Sequence, residues 1–299
     1  MLELVIDARR RDLGGFEVGR VLPFAKRRMV GPFVFFDHMG PMTLPPDVPR
    51  KIDVRPHPHI GLSTVTYLFA GEITHRDSTA VHQVIRPGEV NWMTAGRGIT
   101  HSERFDTMRA AGGDMHGIQA WVALPEEDEE TAPGFAHYGT GDLPSFGERG
   151  VAARLIAGSA YRLTNPVRTH SPLFYVHAEL AAGAAIATPN EYAEEAAYVV
   201  SGRVSYDGHD YTSGQMLVFA NGAAASLRAV EPSTVMLIGG EPLGERHIWW
   251  NFVSSRKERI EQAAADWKAG RMALPFEDDQ EFIPLPEGPA PNPPPLPTS

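Results

Sequence analysis

The chain has 299 residues, more than one ordinary domain of roughly 100–150 residues, so we expect two domains. Its formal net charge of -10 disfavours nonspecific binding to nucleic acid or to an anionic membrane, because both require a basic footprint. The absence of cysteine excludes disulfides, thiolate nucleophiles and iron–sulfur clusters. The first residues, Met1–Asp7, contain no long apolar run, so we expect neither a signal peptide nor a membrane span, and hence a cytoplasmic protein.

The first half reads as short strands joined by tight turns. The 29 glycines and 26 prolines favour this arrangement over a helical bundle. The segment Ile60–Ala70 is rich in Thr, Val, Tyr, Leu and Phe, and it ends at Gly71 as a strand entering a hairpin would. Val84–Ile85 precedes a turn at Arg86–Glu89 and a further strand at Val90–Met93. We predict an all-β fold of the small-barrel type.

The same pattern recurs in the second half of the chain. Tyr67–Ile73 aligns with Tyr198–Val204, and Pro87–Met93 aligns with Ser213–Phe219. We interpret this as the internal duplication of one β domain, with a first domain at 1–135 and a second at 136–254. The acidic run Glu126–Glu130 is expected to be a solvated loop between them.

The remaining residues, 255–299, are predicted to form a helix and a proline-rich tail. Ser255 followed by Glu258 is a capping-box signature, and Gly270 can end the helix. Apolar residues between them recur at helical spacing: Ile260, Ala264 and Trp267. Beyond Phe282 the tail is half proline, so we expect it to be extended or disordered.

Two short motifs in the first half each place two metal-binding side chains at positions i and i+2: His57-Pro58-His59 and His101-Ser102-Glu103. Side chains alternate between the faces of a strand, so each motif projects both groups from one face. If the two strands lie side by side, three imidazoles and one carboxylate converge. We therefore predict a metal site formed by His57, His59, His101 and Glu103. The alternative is a barrel whose polar interior is held by hydrogen bonds alone.

The second half offers an internal comparison for this site. The alignment replaces the four predicted ligands, in order, by Thr188, Asn190, Leu227 and Ala229. None of the four ligand types recurs, so the scaffold does not require them. We infer that the ligand residues of the first half serve chemistry rather than architecture, and that the second barrel lacks the metal site.

The predicted ligand set limits the kind of metal. Three neutral imidazoles and one carboxylate mix nitrogen with oxygen and suit a divalent transition metal, whereas a structural zinc site favours thiolates. Four protein ligands on a six-coordinate ion leave two positions for water, substrate or dioxygen. Iron(II), nickel, manganese, copper and zinc all accept this shell, so the residues leave its identity open.

Longer stretches around these motifs resemble the pirin family, within the cupin superfamily of β-barrels. The matching stretches are Gly31–His38, Pro56–Gly61, Thr64–Leu68, His75–Ser78, Trp92–Glu103, His116–Gln119 and Gly240–Leu243. The resemblance implies a bicupin, with two tandem jelly-roll-like cupin barrels and a C-terminal helix. It also implies that only the N-terminal barrel holds metal, usually iron, through His57, His59, His101 and Glu103.

The resemblance implies a function as well. Some pirins act as quercetin 2,3-dioxygenases, which open a flavonol ring with dioxygen and release carbon monoxide. We therefore expect a metal-dependent dioxygenase, with Fe(II) as its metal and a small aromatic molecule and O2 as substrates. Glu103 is then either the general base, after leaving the metal, or a permanent ligand with solvent as the base. Eukaryotic pirins are iron-dependent transcriptional coregulators, so the alternative is a non-enzymatic, redox-sensing protein with a protein partner.

One position departs from the common cupin pattern. Many cupins carry Glu four residues after the second ligand histidine, where this chain has Ser63. In pirin-like sites the carboxylate comes from the position of Glu103, so we expect metal binding to persist.

Other residues are weaker candidates. Five polar residues could line the pocket or orient ligand imidazoles, although ordinary hydrogen-bonded barrel positions are the simpler interpretation: Asp53, His38, His75, His116 and Gln119. Three large residues could contact a planar substrate, although core packing is the simpler interpretation: Trp92, Met93 and Trp121.

Overall fold

The computed structural model describes residues 1–13 and 15–287 of the chain. Strands dominate its regular structure, which confirms the predicted all-β fold. In chain order they are β1 Leu2–Asp7, β2 Arg9–Asp12, β3 Glu17–Leu22, β4 Phe33–Leu44, β5 Val54–His59, β6 Leu62–Ala70, β7 Ile73–Asp77, β8 His82–Ile85, β9 Val90–Thr94, β10 Ile99–Arg104, β11 Gly113–Ala123, β12 Gly134–Tyr138, β13 Ser145–Glu148, β14 Val151–Ala160, β15 Leu163–Thr164, β16 Leu173–Leu180, β17 Ala185–Ala187, β18 Glu194–Ser201, β19 Arg203–Tyr206, β20 His209–Thr212, β21 Gln215–Phe219, β22 Ser226–Ala229, β23 Ser233–Gly240, β24 His247–Trp249 and β25 Phe252–Ser254. The helices are α1 Asp106–Ala111 and α2 Lys257–Lys268, with short 3-10 helices at Arg50–Ile52, Glu126–Asp128 and Thr140–Asp142.

Each half of the chain forms one four-stranded sheet and all or most of one large sheet. In the first half their strand orders are β12-β9-β6-β11-β4-β3-β2 and β5-β10-β7-β8. In the second half they are β1-β21-β18-β23-β16-β14-β13, with β15 beside β14, and β17-β22-β19-β20. The corresponding orders confirm the internal duplication and the two predicted barrels.

The large and small sheets of each half share a buried apolar core. In the first half, Leu68 of the large sheet lies in one cluster with Ile73 and Ile85 of the small sheet. In the second half, Leu237 occupies a cluster with Leu227 of the small sheet. Each fully buried leucine contributes about 1.5–3 kcal/mol to folding, so these clusters hold the sheets of each barrel together.

The N-terminal strand β1 belongs to the sheet of the second half. It pairs antiparallel with β21, so that Val5 lies opposite Leu217. In the first barrel, the equivalent edge beside β9 is covered by β12 instead. Both halves of the chain therefore contribute a strand to the second barrel.

The two large sheets pack against each other through a further apolar cluster that includes Phe36 and Tyr198, whose ring centroids are 5.0 Å apart. Two tyrosine–histidine pairs cross this interface. The Tyr198 hydroxyl lies 2.8 Å from His38 Nδ1, and the Tyr67 hydroxyl lies 2.9 Å from His177 Nδ1. Tyr67 and Tyr198 occupy aligned positions of the two repeats. Each barrel therefore uses the equivalent tyrosine to form a hydrogen bond with a histidine of the other barrel.

The buried His38 makes stability depend on pH. Burial, followed by the neighbouring His116, lowers the pKa of His38 to about 4. The folded state therefore favours the neutral ring, and this contribution is complete above the unfolded pKa near 6.5 and is lost as pH falls towards 4. We expect the wild type to lose about 2–3 kcal/mol more unfolding free energy than His38→Gln between pH 7.5 and 4.5. Urea denaturation of both metal-free proteins at the two pH values measures this difference, and parallel losses would contradict it.

The predicted C-terminal helix is present as α2, which packs Ile260 and Trp267 into a cluster with Ile60 of the first barrel. Gly270, with a φ of +67°, follows its last turn as predicted. The predicted capping box is wrong. The N-cap is Arg256 and no side chain caps the helix, because the Ser255 hydroxyl donates to Glu129 instead.

Glu129 also changes the interpretation of the acidic run Glu126–Glu130. It is buried, accepts hydrogen bonds from Ser254 and Ser255, and pairs with the buried Arg246 at 3.2 Å. The run is therefore not simply a solvated loop. Its fourth carboxylate, that of Glu129, links the end of the first barrel to the segment that precedes α2.

The tail beyond Phe282, predicted to be extended or disordered, is described as far as Glu287 and packs on the protein through Ile283 and Leu285; residues 288–299 lie outside the described ranges. Ile283 donates its backbone N–H to the carbonyl of Pro56, and Leu285 lies against the apolar cluster of α2. Among residues 1–13 and 15–287, no helix combines the length and apolar content needed to cross a membrane.

Candidate metal centre

The two predicted ligand motifs lie on neighbouring strands. Strands β5 and β10 pair antiparallel, with His101 directly opposite His57. β5 is the edge strand of its sheet, which accommodates Pro56 and Pro58 because a proline cannot donate to a strand ladder. The register with β5 shifts between His101 and Glu103, whereas both residues keep a regular ladder with β7 on the other side of β10.

Three histidines come together from these strands. One ring nitrogen of each of His57, His59 and His101 lies within 4.8 Å of the others, and all three side chains are buried. The ring centroids of His57 and His101 are 4.4 Å apart. The structure thus forms the histidine part of the predicted site.

The hydrogen bonds of the triad leave the same nitrogen free on each ring. His57 Nδ1 donates to the Arg55 carbonyl at 2.8 Å, and His59 Nδ1 donates to the Asn251 carbonyl at 3.1 Å. Because a carbonyl only accepts, both rings carry their proton on Nδ1, with the lone pair on Nε2. The buried His101 Nε2 has no hydrogen-bond partner among the described residues. These nitrogens suit a metal, which binds a neutral imidazole through its lone pair.

His101 is oriented by a second histidine. Its Nδ1 lies 3.3 Å from His75 Nδ1, and His75 Nε2 lies 3.0 Å from the carboxylate of the buried Asp77. Asp77 accepts the Nε2 proton of His75, which leaves His75 Nδ1 as the acceptor for His101. His75, one of the weaker candidates from the sequence, therefore orients a triad imidazole through this hydrogen bond.

Burial keeps the triad neutral. It lowers the pKa of His57 to about 4 and places the pKa values of His59 and His101 well below the ordinary value. Neighbouring imidazoles lower the pKa of His101 further, since two cationic rings would repel each other. The rings are therefore available as ligands at neutral pH.

Glu103 faces the same cavity as His57 and His59. Its carboxylate does not belong to the group of ligand atoms, from the three histidines, that lie within 4.8 Å of one another. Its Oε1 accepts hydrogen bonds from Gln119 Nε2 at 3.3 Å and from the Thr66 hydroxyl at 3.5 Å. Burial raises the pKa of Glu103 to about 7, although both hydrogen bonds act against it. A carboxylate with this pKa can exchange a proton near neutral pH.

A cavity of about 350 Å³ opens beside these residues. Phe35 and Trp121 form one wall, stacked with centroids 4.0 Å apart and planes at 11°. The Arg20 guanidinium lies 4.3 Å from the centre of the Phe35 ring and is held by two 2.8 Å bonds to Asp37. Arg20, Phe35 and Asp37 were not predicted as site residues, although Phe35 and Asp37 lie within the family-matching stretch Gly31–His38.

The other candidates divide between site and scaffold. Gln119 contacts Glu103, and Trp121 lines the cavity. Asp53 forms an ion pair with Arg109. Trp92 and Met93 are buried in apolar clusters. His38 and His116 are hydrogen-bonded to each other at 2.7 Å. The Ser63 hydroxyl bonds to Thr94 at 3.1 Å.

The structure therefore defines a two-barrel protein in which a buried histidine triad, suited to a divalent metal, lies beside an aromatic-walled cavity in the first barrel. The chain belongs to the pirin family: the Pirin domain matches residues 15–122, and the Pirin C-terminal cupin domain matches residues 175–273.

Similar proteins agree with this assignment. A pirin-like protein of Caulobacter vibrioides is 62% identical over 96% of this chain and 100% of its own length. The structure of a quercetin 2,3-dioxygenase from Acinetobacter baumannii is similar with a TM-score of 0.87 and 32% identity, over 96% of this chain and 95% of that one. The pirin YhhW of Escherichia coli, solved in complex with nickel(II), shares the fold with a TM-score of 0.61 and 18% identity, over 80% and 99%.

Proposed function

We propose that the chain is a cytoplasmic, metal-dependent dioxygenase that opens the ring of a flavonol-type substrate with O2. The observation that carries the proposal is the juxtaposition of three Nε2 lone pairs with a cavity walled by stacked aromatic rings. The similarity to a protein named quercetin 2,3-dioxygenase supports this choice of reaction.

We assign one divalent metal to His57, His59, His101 and Glu103, with Fe(II) preferred and nickel, manganese, copper or zinc as alternatives. The donor set fits the metal because the three imidazoles are neutral and the His101 Nε2 is buried without a partner. The nickel(II) complex of the E. coli pirin supports a divalent ion in this fold. Such an ion would polarise a bound substrate oxygen and mediate electron transfer to O2.

The cavity residues bind and orient the substrate. The Phe35–Trp121 stack lines the cavity with apolar aromatic surface, against which an aromatic substrate can pack. Glu103, once released from the metal, accepts the proton of the substrate hydroxyl, because burial raises its pKa to about 7 in the metal-free protein. The alternative is that Glu103 stays a ligand and solvent is the base. Gln119 keeps the Glu103 carboxylate directed at the cavity through its amide N–H.

The test is turnover of quercetin by protein loaded with a known metal. Metal-free protein is loaded anaerobically with Fe(II), Ni(II), Mn(II) or Cu(II), mixed with quercetin and exposed to O2, while flavonol absorbance and carbon monoxide are followed. We expect oxygen-dependent loss of quercetin with at least one ion and none in the metal-free protein. Absence of metal-dependent turnover with all four ions would refute the quercetinase assignment.

The hydrogen-bonded pair of Asp77 and His75 gives a separate prediction. Asp77→Asn weakens the acceptor that fixes the His75 tautomer, and His75 in turn orients His101. We expect the affinity for Ni(II) to fall about tenfold, as is usual for partners of metal-bound histidines. Competition with a chromogenic chelator measures the affinity. The exposed Asp106→Asn serves as the control, and equal affinities in the two variants would contradict the prediction.

A further inference from the structure

The segment Glu277–Ile283, here called the strap, crosses the outside of the two strands that bear the proposed ligands. It lies beyond both domain matches, which end at residues 122 and 273. Its residues form no regular strand or helix, yet they bond to β5 and to β10. The strap therefore contacts both ligand-bearing strands, although it lies outside the residues that the family domains match.

The strap binds β10 through an ion cluster around the buried Arg104. Asp278 accepts two 2.7 Å bonds from Arg104 and a 2.5 Å bond from the Ser102 hydroxyl, and Glu281 accepts a 3.0 Å bond from Arg104. Side chains alternate along a strand, so Ser102 and Arg104 point away from the face that carries His101 and Glu103. The strap thus holds the ligand strand from its opposite face.

Arg104 depends on the strap for its charge balance. Its side chain is only 5% exposed, and its acidic partner outside the strap, Asp53, lies at 3.4 Å and also pairs with Arg109 at 2.6 Å. A buried guanidinium without a close carboxylate is strongly unfavourable. Loss of Asp278 would leave Arg104, next to Glu103 in β10, with the partly exposed Glu281 as its nearest carboxylate, at 3.0 Å.

The strap also binds β5, the edge strand of its sheet. The backbone N–H of Ile283 donates to the Pro56 carbonyl at 2.8 Å, one residue before His57. Trp267 on α2 fixes this end, because its indole N–H donates to the Ile283 carbonyl at 3.0 Å. Pro56 and Pro58 donate no backbone hydrogen bonds, so this contact supplements a weakly paired strand. The Ile283 side chain lines the cavity.

We propose that the strap positions the metal-binding strands, with Asp278 as its positioning residue, and that Ile283 limits the size of the substrate admitted to the cavity. The role of Ile283 rests on the proposed function. The role of Asp278 concerns how rigidly β5 and β10 are held, and it is measured without metal or substrate.

Hydrogen exchange of the metal-free protein tests the first part. We compare Asp278→Asn with Asp279→Asn, which makes the same change one residue away on an exposed side chain. Amide exchange at His57, His59 and Ser102 is expected to accelerate at least about tenfold in Asp278→Asn, with the second barrel unaffected and Asp279→Asn like the wild type. Unchanged protection in Asp278→Asn, or loss of protection throughout the chain, would overturn a local positioning role.

Ligand size tests the second part on Ni(II)-loaded protein without O2. The probes are 4-nitrocatechol, a small metal ligand, and quercetin, a larger one. For Ile283→Trp we expect quercetin affinity to fall about tenfold or more while 4-nitrocatechol changes less than about twofold. Ile283→Ala should leave both affinities at or above those of the wild type. Equal effects on both probes would overturn the role of Ile283, whereas failure of the wild type to bind either probe would also remove the proposed function. The exchange experiment remains valid in either case.

Discussion

Replacing His101 with alanine is expected to reduce bound metal from about one ion per chain to less than about a tenth of an ion, because a triad of neutral imidazoles loses a ligand that no neighbour replaces. His75 does not substitute, since it lies beside the Nδ1 of His101 and outside the group of ligand atoms that lie within 4.8 Å of one another. Elemental analysis after loading with Fe(II) or Ni(II) and desalting measures the change.

The matched control for this variant is His38→Gln, which alters a buried histidine at the interface between the large sheets. It should retain the metal content of the wild type. Circular dichroism of both variants separates loss of a ligand from loss of the fold. Full metal content in a folded His101→Ala protein would contradict the site assignment.

Replacing Glu103 with glutamine is expected to lower kcat by about 10²- to 10⁴-fold, because glutamine cannot accept the substrate proton. The three imidazoles remain, so the variant should still bind metal. The exposed Glu261→Gln on α2 makes the same chemical change far from the cavity and should retain wild-type kcat. Steady-state turnover of quercetin with metal-loaded protein is the measurement. A Glu103→Gln variant as active as the control would exclude Glu103 as the base.

The pH dependence of the wild type follows from the same carboxylate. Its pKa of about 7 in the metal-free protein means that the basic form increases as pH rises, so activity should rise with a midpoint at or below about 7, since a bound cation lowers the pKa. The stability contribution has the opposite sign. A folded pKa above the unfolded value makes this contribution complete below pH 4.5 and lost as pH rises through 7. Glu103→Gln should lack both effects.

The sequence was sufficient to predict the two barrels and the pairing of the ligand strands. Both depend on local signals: the period-two alternation at His57 and His59, and turns such as Gly71 and Gly202, whose backbones have positive φ in each repeat. Hydrophobic and turn patterns of this kind survive duplication because each barrel needs them to fold.

The supporting contacts could not be predicted, because they join residues that are distant in sequence and often use the backbone. The acceptor for His59 is the carbonyl of Asn251, and a carbonyl has no signature in a sequence. Ser255 matched a capping motif, but the buried Glu129 competes for its hydroxyl. The strap shows the same limit, since nothing local indicates that Asp278 meets Arg104.

A crystal structure of the chain loaded with Ni(II), with anomalous diffraction recorded at the metal edge, tests the central claim most directly. We predict one peak in the first barrel, about 2.0–2.2 Å from Nε2 of His57, His59 and His101 and bound by the carboxylate of Glu103. A peak located elsewhere, or one coordinated through Nδ1 of these histidines, would contradict the account.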